Sequence, residues 1–357
     1  MRVVLCAGGT GGHIYPALAI MNKIKEENKD AKFLYIGTHN RMEAELIPNM
    51  GIDYKSLEII GFNRKKLLSN FKTLNLYLKA LKKAKKILEE FKPDIVIGCG
   101  GYVTAPVIYS AFKLGIPTFI HEQNSVVGLS NKFLTRYASK IGVSFKETLN
   151  LFPKDKVVLT GNPCGDNAKK VKKAKKSEFG LHENKKLIVI VMGSLGSRSV
   201  NDKIVSYLDD FDSKYEVLFV TGKAYYEKVK DLKVKDNIKI VPYINEIIRI
   251  LKVCDVLVTR AGASTISEVE ALKLPSIFIP SPYVPNNHQY KNAKYLVDDG
   301  AGILIEEENL TKERLFREID ELLNNKEKYN DIVNNLNKIK IDNSLDKIYE
   351  IIENLVK

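Results

Sequence analysis

Long apolar runs are missing from this sequence. No stretch of ~18 uncharged apolar residues occurs, so no segment is expected to span a membrane as a helix. The opening run Val3-Val4-Leu5-Cys6-Ala7 stops at Gly8-Gly9. It is too short for the core of a signal peptide, and no cleavage pattern follows. Cysteine is scarce. Cys6, Cys99, Cys164 and Cys254 form no C-x-x-C pair and do not cluster with histidine. That excludes zinc-ligand spacing, and a reduced, cytoplasmic chain is expected. Zinc-finger and aromatic RNP-type patterns are also absent, so no nucleic-acid partner is expected despite a net charge of +13. The excess of cations fits phosphate-bearing substrates or an anionic membrane. Part of it carries no message, because Lys, Ile and Asn are enriched together, as AT-rich coding produces.

What is present is an alternation. Short Val- and Ile-rich runs read as strands at Val3–Ala7, Lys32–Gly37, Tyr54–Ile60, Asp94–Cys99, Thr118–His121, Lys140–Val143 and Val157–Thr160. A second set follows at Leu187–Met192, Glu216–Val220, Ile238–Val241, Val256–Thr259, Ser276–Ile279 and Gly302–Ile305. Helical patterns fill the gaps, notably Ile14–Glu27 and Leu74–Phe91, and Leu345–Val356 reads as a last amphipathic helix. Strand–helix alternation predicts an α/β chain with parallel sheets covered on both faces. With 357 residues, two doubly wound domains are expected. The cluster Gly161-Asn162-Pro163 reads as their hinge. The lysine-rich stretch Lys169–Lys176 reads as a solvated surface rather than a binding patch.

Ligands in such sheets bind outside the carboxyl ends of strands. There the chain places glycine-rich turns. The first is Gly8-Gly9-Thr10-Gly11-Gly12-His13. Glycines let the backbone approach a ligand, and the following helix start favours negative charge. A dinucleotide fingerprint fails here: Ile14 stands where its third Gly or Ala belongs, and no carboxylate ends the second strand. A Gly-Lys-Ser/Thr ending is absent, so this is not a P-loop. The second turn is Gly193-Ser194-Leu195-Gly196-Ser197-Arg198, and the third opens the helix at Ala261–Glu268. Glu268 reads either as the acceptor of a ribose diol or as a first-turn acid complementing the helix dipole. His121-Glu122-Gln123-Asn124 closes an apolar strand with four polar residues, a pattern that fits substrate hydrogen bonding. In Asn286-Asn287-His288-Gln289, either Asn reads as an ordinary N-cap.

These motifs occur together, with Gly100-Gly101-Tyr102-Val103, in the order and spacing of one family. The chain resembles the MurG family, UDP-N-acetylglucosamine:undecaprenyl-diphospho-muramoylpentapeptide N-acetylglucosaminyltransferases, over essentially its whole length. The resemblance implies the GT-B fold, two Rossmann-like doubly wound domains facing a cleft. Residues 1–162 would form the acceptor and membrane domain, 163–342 the UDP-sugar donor domain, and 343–357 a helix returning to the first. It implies inverting transfer of N-acetylglucosamine from UDP-GlcNAc to the 4-hydroxyl of lipid I, giving lipid II in peptidoglycan synthesis. No cofactor or metal is expected, because no Asp-x-Asp motif of the metal-dependent transferases stands in a suitable loop. The chain would act as a peripheral protein on the cytoplasmic face of an anionic membrane.

By resemblance the donor would be held by Thr10, Gly11, Gly12, Asn124, Ser194, Ile244, Ala263, Ser264, Thr265, Glu268 and Gln289. His13 is the leading candidate base, because an imidazole titrates near neutral pH; positioning at the helix start is its alternative. Glu122 is the second candidate. One departure stands out: the family's arginine after Gly-Asn-Pro is replaced by Cys164-Gly165, so Arg260 or Arg198 would serve, or donor affinity is weaker. Rival functions on the same fold are an epimerase or another UDP-sugar enzyme, and a non-catalytic sugar-nucleotide scaffold. The segment Leu74–Phe91 has a wide apolar arc beside Lys72, Lys79, Lys82, Lys83 and Lys86. With Phe62, Arg64, Lys65, Lys66, Leu67 and Leu68 before it, it reads as a membrane-docking helix or as a broad core helix.

Overall fold

The computed structural model describes residues 1–61, 70–339 and 343–357. The chain divides into two compact units, Met1–Cys164 with Asp342–Lys357, and Gly165–Ile341. Each is built on one parallel sheet.

The first unit carries β1 (Arg2–Cys6), β2 (Lys32–Thr38), β3 (Tyr54–Leu57), β4 (Ile95–Gly98), β5 (Thr118–Glu122), β6 (Lys140–Val143) and β7 (Val157–Leu159). Their order in the sheet is β3-β2-β1-β4-β5-β6-β7. The expected strand Tyr54–Ile60 is shorter because its partner β2 ends at Thr38, which pairs with Leu57. Alternation along β1 serves two layers. Val3 and Leu5 join a core with the helices Gly11–Glu27 and Ser344–Val356, while Val4 and Cys6 join another with Asn70–Phe91 and Thr104–Lys113. Burial on both faces is why the strand reads as an unbroken apolar run.

The last helix belongs to the first unit. Leu345, Ile348 and Ile352 recur at helical spacing and are buried against the helix Gly11–Glu27. Each such isoleucine contributes about 1.5–3 kcal/mol. An ion pair of 2.6 Å joins Lys23 to Asp346 on the same seam.

The second unit carries β8 (Lys186–Val191), β9 (Tyr215–Val220), β10 (Ile238–Val241), β11 (Val256–Thr259), β12 (Ser276–Phe278) and β13 (Ile303–Leu304), in the order β10-β9-β8-β11-β12-β13. In both sheets the chain starts in the middle, winds outward, and returns to the other side. The reversal lies between β1 and β4 in the first sheet and between β8 and β11 in the second. Turns leaving these strands flank a gap where no helix crosses over, the usual ligand position in such sheets.

Candidate functional site

At the first reversal, Gly8–Thr10 lead into the helix Gly11–Glu27, with Thr10 at its N-cap. First-turn amides of a helix have no partner inside it. Gly9 has φ 98°, open to glycine. Gly8 donates its N–H to the Gly100 carbonyl at 3.2 Å, and Gly9 donates to Glu43 Oε2 at 3.0 Å. His13 is half-buried, with Nδ1 3.1 Å from the Gly8 carbonyl. A carbonyl only accepts, so this contact places the proton of the neutral ring on Nδ1 and leaves the Nε2 lone pair free. The ring lies on Gly100, where a Cβ would stand 2.6 Å from His13 Cδ2. Gly101 is as constrained: its Cβ would meet the Gly8 carbonyl oxygen at 2.4 Å. The paired glycines are thus the surface on which the first turn and its histidine rest.

The end of β5 differs from the sequence expectation. His121, Glu122 and Gln123 are all buried and turned inward. His121 Nε2 lies 3.0 Å from the Gly161 carbonyl, and burial pushes its pKa down to about 4, partly opposed by that bond. Gln123 donates to the Cys99 carbonyl at 3.0 Å. Both Glu122 oxygens are engaged. Oε1 accepts from Asn124 N at 3.1 Å and Nδ2 at 3.4 Å, and Oε2 from Gly128 N and Asn131 Nδ2, each at 2.9 Å. Of the four polar residues, only Asn124 retains partial exposure.

At the second reversal, Gly193–Ser197 leave β8 and enter the helix Arg198–Tyr207. Gly196 packs on the Thr221 carbonyl, whose oxygen would lie 2.1 Å from a Cβ. From β11 the chain enters the helix Ala263–Leu272, with Gly262 at its N-cap. Ser264 is buried, and its hydroxyl has no partner among the described residues. Glu268 stands one turn further in. The residue is half-buried, desolvation there pushes its carboxyl up to about 8, and no described residue donates a hydrogen bond to it. Ile244 lies in the loop after β10. Gln289, in the helix His288–Val297 that follows β12, accepts from Ser281 N at 2.8 Å. Ser194, Ile244, Ala263, Ser264, Thr265, Glu268 and Gln289 thus share the carboxyl edge of one sheet. Neither Asn286 nor Asn287 caps by its side chain. Their φ values of 56° and 52° explain the residue type, because Asn tolerates the left-handed region.

Arg260 is not a spare cation. It pairs with Glu307 at 2.6 Å, both being 8% exposed, and donates to the Ile279 carbonyl at 2.9 Å and Ser197 Oγ at 2.6 Å. Arg198, with 85% of its side chain exposed, lies 3.9 Å from Asp202. Gly165 also has a local reason. A Cβ there would stand 2.4 Å from Ser267 Oγ and 3.0 Å from its carbonyl oxygen.

The helix Asn70–Phe91 buries Leu76, Ala80, Ala84, Ile87 and Leu88 but leaves Leu74 48% and Leu78 51% exposed. Lys79, Lys82, Lys83 and Lys86 are exposed beside them. Phe62, Arg64, Lys65, Lys66, Leu67 and Leu68 lie outside the described residues, as does the side chain of Lys72. Among the described residues, no helix is long and apolar enough to cross a membrane, and no group of three or more His, Cys, Asp or Glu could hold a metal ion.

Two Rossmann-like units with glycine turns at both reversals are the architecture of the GT-B fold. Residues 3–143 match the glycosyltransferase family 28 N-terminal domain, and residues 187–350 the family 28 C-terminal domain. A Bacillus cereus (strain ATCC 10987 / NRS 248) relative is 46% identical over 363 residues, covering 100% of both chains. It is named UDP-N-acetylglucosamine--N-acetylmuramyl-(pentapeptide) pyrophosphoryl-undecaprenol N-acetylglucosamine transferase 1. A crystal structure of Acinetobacter baumannii MurG superposes with a TM-score of 0.74 at 28% identity, covering 99% of each chain. The chain belongs to the MurG family within glycosyltransferase family 28. A Neisseria meningitidis UDP-GlcNAc 2-epimerase bound to UDP-GlcNAc reaches a TM-score of 0.68 at 16% identity, over 98% of this chain and 99% of that one. That likeness is one of fold alone, and the epimerase reading is not favoured.

Proposed function

We infer that this chain transfers N-acetylglucosamine from UDP-GlcNAc to the 4-hydroxyl of lipid I, releasing UDP and forming lipid II. The observation that carries the substrates is the full-length identity of 46% to a relative bearing that name. The geometry supports the roles. His13 is assigned as the base, because its Nδ1 contact with Gly8 leaves Nε2 able to take the proton of the attacking hydroxyl. Glu122 is assigned to bracing the loop that carries Asn124, since four N–H groups hold its carboxylate. Asn124 is assigned to the donor sugar.

Attack inverts the anomeric carbon, and charge builds on the leaving UDP. Amides at the start of the helix Ala263–Leu272, with the Ser264 hydroxyl and the turns at Thr10–Gly12 and Ser194, are assigned to that charge. Glu268 accepts the ribose diol, Ile244 meets uracil through its backbone, and Gln289 lines the sugar. The second unit is thus the donor domain and the first the acceptor domain, lying against the cytoplasmic face of an anionic membrane. The exposed Leu74 and Leu78, flanked by lysines, support docking by the helix Asn70–Phe91. Incubation of UDP-GlcNAc with a soluble lipid I analogue tests the reaction. NMR of the product should show a β-linkage to the muramoyl 4-hydroxyl; retained configuration or another linkage site contradicts it.

A further inference from the structure

We propose that Glu43 is a positioning residue for the transfer, holding the Gly8–Gly9 pair in the form that fixes the His13 imidazole. This rests on the assignment of His13 as the base. Glu43 sits in the first turn of the helix Met42–Asn49 and is fully buried. Among the described residues no cation pairs with it. Its carboxylate is met by neutral donors alone. Oε2 accepts from Gly9 N at 3.0 Å, and Oε1 from Thr38 N at 3.0 Å and Thr38 Oγ1 at 2.7 Å. Burying a carboxylate is costly unless its oxygens are satisfied. A neutral amide cannot replace it, since its NH2 end would face a donor.

The two oxygens tie the end of β2 to the turn leaving β1. Gly9, whose N–H is held by Glu43, follows Gly8, whose carbonyl receives the Nδ1 proton of His13. One dipeptide is therefore clamped by Glu43 on one side and orients the imidazole on the other. The fit is close: a Cβ on Gly8 would stand 2.5 Å from Glu43 Oε1, and one on Gly37 2.6 Å from Glu43 Cγ. Tyr54 closes the same corner by donating to the Thr38 carbonyl. Among the described residues Glu43 bonds to Gly9 and Thr38 and to none of Thr10–Gly12, so its effect on the reaction passes through the Gly8–Gly9 pair to His13.

That dependence is the test. Turnover is measured for Glu43→Gln, His13→Ala and the double variant, with a soluble lipid I analogue. Glu43→Gln should lower kcat by about tenfold to a hundredfold, the range expected when a reacting group is displaced by about 1 Å. In the His13→Ala background the same change should cost no further activity. Equal fold losses in both backgrounds would show a general structural role and overturn the proposal, as would an unchanged kcat in Glu43→Gln. Near-normal turnover of His13→Ala would overturn both the base assignment and this one. If Glu43→Gln does not fold, Thr38→Val removes one donor and leaves the carboxylate on Gly9. Its smaller loss of kcat should likewise vanish without His13, and a loss that persists overturns the proposal.

Discussion

Lowering the pH from 8 to 6 is expected to weaken UDP-GlcNAc binding through Glu268. Desolvation of this half-buried residue pushes its carboxyl up to about 8, and no described residue donates to it. Hydrogen bonds from a ribose diol favour the ionised form, so binding draws the pKa down and releases a proton. If only the ionised form binds well, apparent affinity follows the ionised fraction. That fraction falls from about one half at pH 8 to about one hundredth at pH 6, roughly a fiftyfold loss. The donor's diphosphate is a diester without a proton to lose in this range, so the slope belongs to the protein. Calorimetric titration at both pH values, in two buffers of different ionisation enthalpy, measures affinity and proton release together. Glu268→Gln should bind more weakly at pH 8 and lose most of the slope. Equal wild-type affinity at pH 6 and pH 8, or a slope that survives in Glu268→Gln, would exclude Glu268 as the titrating group.

Further outcomes follow from the same geometry. With its folded pKa raised from 4.5 to about 8, Glu268 contributes stability that is full at acid pH and lost as pH rises through about 8. The melting temperature of the ligand-free protein should therefore fall over that window more steeply than in Glu268→Gln. His13→Ala should lower turnover far more than UDP binding, which parallel kinetics and titration will show. Gly165→Ala should destabilise the fold by about 1–3 kcal/mol in denaturant titration, because Ser267 occupies the space. Replacing Lys79, Lys83 and Lys86 by Glu should weaken binding to anionic vesicles by about 1 kcal/mol per charge, with salt weakening the parent interaction, while turnover of a soluble acceptor persists.

The sheets were legible because their strands are buried on both faces and so appear as uninterrupted apolar runs bounded by Gly and Pro. Both glycine-rich turns were legible because glycine is needed where backbones touch, as at Gly101 against Gly8 and Gly196 against Thr221. The inward turn of His121, Glu122 and Gln123 was not, since the sequence records a polar strand end but not which neighbours face it. Glu43 gave no sequence signal either. It is 34 residues from Gly9 and looks like an ordinary first-turn acid until the fold brings them together. The same holds for Arg260, which reads as a free cation beside a glycine turn and is paired in the fold with Glu307, 47 residues away. Leu74 and Leu78 show the opposite case, an apolar arc too wide for one core face, visible in the periodicity before the structure exposed its edge.

UDP release from UDP-GlcNAc measures acceptor-dependent transfer directly. With a soluble lipid I analogue present, UDP should appear in step with a disaccharide product, and without it release should be near zero. UDP release at the same rate with and without acceptor, or none in either case, would exclude acceptor-dependent transfer by this chain.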